Sequence, residues 1–261
     1  MNDYLLVGPV VSLLFGMIIG SFINCLVWRL HQKETILGRS YCPKCLNKIK
    51  WYDNIPLVSF LALGGKCRSC SKKISWQYPL VELITGLLFY LAFLHFGFSP
   101  LALISSFIVI FILVMVFLFD FRWYLIPVSA LLWGGAIIII LGAINYPYNI
   151  GSYIFALITM MALSTVFFGL QYLITKGRGI GEGDIWLGVF LGAVFPNILE
   201  LSVTILSAYF IGAICGLGLL ITGNKKWGSK LPLGVFLSIG AIIALFWGQE
   251  IASWYLGLFS L

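Results

Sequence analysis

An apolar run of about 20 residues is long enough to cross the hydrocarbon of a bilayer as a helix, and this chain is built almost entirely from such runs. Candidate spans are Leu5–Trp28, Pro79–Gly97, Leu101–Phe119, Pro127–Ile144, Ser152–Thr175, Ile185–Phe195, Ile198–Thr222 and Leu233–Trp247. Composition agrees: of 261 residues, 61% are hydrophobic and 10% charged, far from the roughly 45–50% and about 25% of soluble domains. A soluble fold of this size cannot bury that much apolar surface. Disorder and a secreted disulfide scaffold are excluded as well. The expected fold class is all-α, a polytopic membrane protein with about eight transmembrane helices. The first run carries its basic residue, Arg29, at its far end, so it reads as a span rather than a cleaved signal.

The stretch 185–222 is too long for one span and has the turn signal Pro196-Asn197 in its middle. It reads as a hairpin whose first arm is short. With eight spans and an outside N-terminus, all 16 Lys and Arg fall in the inside loops 29–78, 120–126, 176–184 and 223–232. Asp3, Glu200 and Glu250 fall outside. That parity is the positive-inside pattern, and it places the C-terminus outside too. The net charge of +7 therefore reads as topology-setting charge beside anionic membrane lipid, with no nucleic acid as partner.

Three segments follow: a first transmembrane helix over 1–30, a cytoplasmic loop over 31–78, and a membrane-embedded helix bundle over 79–261. The loop carries Cys42-Pro-Lys-Cys45 and Cys67-Arg-Ser-Cys70, with 21 residues between the pairs. Two CxxC knuckles at this spacing point to a closed four-thiolate zinc site, structural because no ligand position is left for water. The competing readings are two disulfides, disfavoured on the reducing side of the membrane, and four idle thiols. Cys25 and Cys215 sit in apolar spans and read as packing residues.

Carboxylates at the hydrocarbon edge are costly and mark function by default. Asp120 ends one run. Asp184 opens another, after Gly179-Ile-Gly181-Glu-Gly183. Two spans separate them, so both reach the cytoplasmic face. Two carboxylates sharing a site suit aspartic protease chemistry. From spacing alone other readings stay open: Asp184 as an N-cap, Asp120 as a partner of Arg122, and Glu182 as a rival acid. His95 falls near the outer face, where no chemistry is expected of it, and no HExxH is present.

These features taken together resemble the bifunctional type IV prepilin peptidases, over most of the chain. The resemblance rests on an ordered set: Gly20-Ser-Phe-Ile-Asn24 with Arg29, Arg39-Ser-Tyr-Cys42-Pro-Lys-Cys45, Asn54-Ile-Pro56-Leu-Val-Ser59, Gly65-Lys-Cys67-Arg-Ser-Cys70 and Tyr78-Pro79-Leu-Val-Glu82. Asp120 with Pro127, Gly181-Glu-Gly183-Asp184 as the GxGD motif, and Leu231-Pro232-Leu-Gly234 complete it. The chain departs from the family pattern at Val128 and Trp186.

The resemblance implies an inner-membrane aspartic endopeptidase with Asp120 and Asp184 as the catalytic pair. Its substrates would be type IV prepilins or secretion pseudopilins, whose new N-terminus it would methylate with S-adenosylmethionine. No dinucleotide-type glycine pattern follows a strand; Arg29 and Glu82, flanking the loop, are candidates for the methyl-donor site, and the competing reading is charge that anchors span ends. The alternatives are a peptidase without methyl transfer and a non-enzymatic zinc-stapled scaffold. A transporter would need ionisable groups near the bilayer midplane, and the spans carry almost none.

Overall fold

A computed structural model describes residues 3–223 and 230–258. Lys225 and Lys226, two of the expected inside charges, lie outside the described residues. The elements are helices α1 (Asp3–His31), α2 (Val58–Ala62), α3 (Gln77–Phe96), α4 (Pro100–Trp123), α5 (Val128–Asn145), α6 (Ile150–Thr175), α7 (Glu182–Val194), α8 (Ile198–Ile221) and α9 (Leu233–Gly257). Among the described residues there are no strands beyond two isolated bridges. Among the described residues seven helices are long and apolar enough to cross a membrane, so this is a multi-pass membrane protein. The eighth expected span is α7, with 13 residues. At 1.5 Å per residue that is about 20 Å, short of a ~30 Å core. α9 outruns its expected end: it continues to Gly257 through a single non-helical residue, Trp247.

The chain divides into two compact units, Met1–Leu103 and Ile104–Leu261. In the first, α1 packs along α3. Their seam is made of small residues at four-residue spacing, Gly8, Ser12, Gly16 and Gly20. In lipid, helices associate by close backbone approach rather than by expelling water. A Cβ on Gly20 would stand 2.8 Å from the Glu82 Cα, so α3 occupies the space a larger side chain would need.

Between α1 and α3 lies the four-cysteine loop, folded as two copies of one knuckle. Cys42 N–H donates to the Asn47 carbonyl, and Cys67 N–H to the Lys72 carbonyl. Tyr41 bridges Lys48, and Lys66 bridges Lys73. Leu46 and Ser71, each just after a second cysteine, share a left-handed backbone with φ near 60° and 55°. The copies are 25 residues apart, and the sequence repeats with them: Cys42, Cys45, Lys48, Ile49 and Trp51 recur as Cys67, Cys70, Lys73, Ile74 and Trp76.

In the second unit α7 is the hub, packed on α5, α6 and α9, while α8 pairs with α9. Phe168 fills the space in front of Gly188, and the α6 backbone at Met160 and Met161 comes against Gly192. This short helix is thereby enclosed, and seven of its 13 residues, Asp184 among them, are buried.

Candidate functional site

Asp120 lies in the last turn of α4, buried with 5% exposure. Its Oδ2 accepts the backbone N–H of Val235, at the start of α9, at 3.1 Å. The chain then reverses. Tyr124 N–H closes on the Asp120 carbonyl, Tyr124 adopts φ 55°, and Val128 N–H reaches the Ile126 carbonyl across Pro127. Tyr124 thus stands where a left-handed residue is needed, and Pro127 fixes the turn that starts α5.

Asp184 is the third residue of α7 and is buried too. Its Oδ2 accepts the N–H of Gly181, the N-cap residue, at 2.9 Å. This is half of a capping box, and the positive end of a helix favours an acid in its first turn. The open N-cap reading is therefore correct in part: Asp184 bonds back to the cap without occupying it. The two carboxylates lie close enough for the charge on Asp120 to act on Asp184. Ile126 links the two places. A Cβ on Gly183 would meet the Ile126 Cβ at 2.9 Å, and a Cβ on Gly234 would meet Ile126 Cδ1 at 3.3 Å and Asp120 Oδ2 at 2.9 Å. Glu182, the rival acid, is exposed at the start of α7.

The site also holds residues that sequence reasoning missed. Tyr209 of α8 donates its hydroxyl to Gln171 Oε1 of α6 at 2.7 Å, and that hydroxyl lies within electrostatic range of Asp184. Both are polar residues inside otherwise apolar spans, which was the available signal. Gly234 was legible only as part of a motif. Its function here is to leave room for the Asp120 carboxylate. Gly234→Ala should push that carboxylate off the Val235 N–H and lower any Asp120-dependent rate by about 10²-fold, as small misplacements of a reacting group do. An unchanged rate with normal folding would show that this contact does not position Asp120.

The four cysteine sulfurs of the loop all lie within 4.8 Å of one another. Zinc–sulfur bonds of ≈ 2.3 Å set tetrahedral edges of about 3.8 Å, so the cluster fits a zinc ion after a small contraction. N–H groups of Cys70 and Ser69 point at the Cys67 thiol and pull it down to about 7, while desolvation and hydrogen bonds with the other three cysteines push the Cys45 thiol up to about 11; a bound cation would be needed to hold all four as thiolates. Asp53 clamps the second knuckle through both carboxylate oxygens to Arg68, with a closest approach of 2.7 Å. That guanidinium holds the Asp53 carboxyl below its ordinary range.

Arg29 and Glu82 flank the loop, as expected, and both are buried. Arg29 donates to the carbonyls of Ile36, Gly38 and Arg39 at 2.8, 3.1 and 2.9 Å. Glu82 Oε2 accepts the Leu57 N–H at 2.9 Å, and the Ser21 hydroxyl also bonds to this carboxylate. Both side chains are thus engaged in tying the loop to the helices. Arg29 in particular directs its fork into the loop backbone.

Comparison with known proteins fits this geometry. The family model for the bacterial peptidase A24 N-terminal domain matches residues 14–96. The chain is 35% identical to the prepilin leader peptidase/N-methyltransferase of Pseudomonas aeruginosa, over 97% of each chain. The chain belongs to the prepilin leader peptidase/N-methyltransferase family. Members from Legionella pneumophila and Bacillus subtilis are each 32% identical to it, covering 97% and 94% of this chain and 94% and 97% of their own. Family members bearing that name thus match both the cysteine-loop unit and the aspartate unit. No solved structure matches the chain.

Proposed function

We propose that this chain is a bifunctional enzyme of the bacterial inner membrane. It removes the leader from type IV prepilins or pseudopilins at the cytoplasmic face and then methylates the new N-terminal amine from S-adenosylmethionine. The carrying observation is the pair Asp120 and Asp184, buried on two helix ends that face the same turn, within reach of each other's charge. In each carboxylate one oxygen, Oδ2, is fixed by a backbone N–H, so the group is oriented before substrate arrives. One aspartate takes a proton from water. The other, protonated, donates to the scissile carbonyl. Water adds to that carbonyl; the first aspartate then passes its new proton to the leaving nitrogen, the second regains a proton from the gem-diol, and the tetrahedral species collapses to leader carboxylic acid and pilin amine.

In this reading the short α7 is counted as the eighth crossing, so that all inside loops, including the zinc loop, face the cytoplasm and both termini lie outside. Cys42, Cys45, Cys67 and Cys70 hold a structural zinc. The substrate helix lies among the spans, with its leader on the cytoplasmic side. Mass spectrometry of a co-expressed prepilin tests the whole reading: loss of the leader plus one added methyl group is expected, and an unprocessed prepilin would overturn it.

Methyl transfer needs a free amine and a methyl donor but no activated water. Asp184→Asn protein should therefore still methylate a mature, unmethylated pilin. A mass gain of one methyl supports separate centres. No gain, with zinc content and thermal stability unchanged, would mean that Asp184 serves both reactions.

A further inference from the structure

The stretch Ile55–Gly65 is the uncharged part of a loop that is otherwise basic: residues 29–78 hold ten Lys and Arg against two acids, Glu34 and Asp53. Within it sits α2, five residues long. A helix that short has no stability of its own, so tertiary contacts hold it.

Its entry is a strained turn. Leu57 has φ 59° and ψ −48°, and Val58 N–H reaches back to the Pro56 carbonyl at 2.6 Å. This is the rare γ-turn with positive φ at its centre, on a residue with no glycine freedom. The N–H of that same Leu57 is the one Glu82 binds at 2.9 Å. Its exit runs through Gly64 and Gly65, both at positive φ, with Gly65 N–H on the Phe60 carbonyl.

The anchor fixes the depth of α2. Glu82 is the sixth residue of α3, about 7.5 Å along that span, and helical side chains lean toward the N-terminus. The carboxylate that holds Leu57 therefore lies near the boundary between hydrocarbon and headgroups. One face of α2 is occupied, since the Phe60 ring packs on Trp76 at 5.0 Å between centroids. The other face points away from the protein: Val58 and Leu61, one turn apart, are 59% and 75% exposed. Trp51 and Trp76, the matching residues of the two knuckle copies, are 76% and 69% exposed.

We infer that the four-cysteine loop is a membrane-surface module that lies on the anionic leaflet. α2 and the paired tryptophans dip into the interface, and the lysines of the knuckles meet lipid headgroups. Apolar and aromatic groups carried on a strongly basic surface have the composition that binds such a leaflet, and tryptophan prefers the headgroup level. The backbone strain at Leu57 fits this role, because the turn aims Val58 and Leu61 outward at that depth.

Hydrogen exchange of the full-length protein in nanodiscs tests the inference. Amides of residues 55–65 should exchange at least about tenfold more slowly in phosphatidylglycerol-rich discs than in phosphatidylcholine discs, and the gap should close at high salt. Leu61→Asp and Val58→Asp change exposed side chains and should keep zinc content and thermal stability. Each should restore fast exchange in anionic discs. Equal exchange in both lipids would overturn the inference. So would aspartate variants that exchange like the wild type in anionic discs but lose cross-linking to a prepilin, because the apolar face would then belong to substrate.

Discussion

Asp120→Asn and Asp184→Asn should each lower leader cleavage by about 10³-fold or more, the scale of losing a positioned acid or base. Asparagine is the informative replacement. Its side-chain oxygen can still accept the N–H of Val235 at position 120, or of Gly181 at position 184, the bonds seen at 3.1 and 2.9 Å. The local fold and the burial of each side chain should therefore persist, while the proton-transfer step fails. The measurement is single-turnover cleavage of a prepilin, with zinc content and thermal stability as controls for folding. Substantial cleavage by either variant would remove the two-aspartate mechanism. Equal losses in the two single variants and in the double variant are expected, because the carboxylates act as one unit.

Much of this was legible because the membrane imposes strong rules. Seven spans follow from apolar length alone, and the break at Pro196-Asn197 separates the short α7 from α8. The cysteine spacing anticipated a cluster whose sulfurs converge. Asp120 and Asp184 stood out as charges at span ends, and the chain brings them within range of each other.

What the sequence concealed is mostly backbone. The donor to Asp120 is a peptide N–H, at Val235, and a peptide N–H leaves no mark in residue type. The γ-turn at Leu57 was hidden for a related reason: positive φ is usually announced by Gly or Asn, and neither stands there. Glu82 and Arg29, candidates because they flank the loop, both hydrogen-bond to its backbone, and those backbone partners leave no mark in residue type. Two signals were present and unread, the four-residue spacing of small residues in α1 and the 25-residue repeat of the knuckles.

That repeat bears on the second large effect, expected from Cys67→Ser. Each knuckle supplies two sulfurs, and neither has a core of its own: Cys42 alone of the four cysteines is buried, and the surrounding lysines are exposed. The ion would join the two copies and supply what the missing core does not. Structural zinc binding is worth ≈ 10–16 kcal/mol in small domains, so opening one corner of the tetrahedron should lower metal affinity by several orders of magnitude. Residues 40–76 should then lose most of their protection from hydrogen exchange, and purified protein should fall from about one zinc per chain toward none. The α1–α3 pair should keep its protection, because its close approach at Gly16 and Gly20 rests on helix backbones rather than on the loop. Elemental analysis beside exchange mass spectrometry reads both effects on the same sample. Wild-type protein that is metal-free yet fully protected over residues 40–76 would show that hydrogen bonds and the Asp53–Arg68 pair hold the knuckles without an ion.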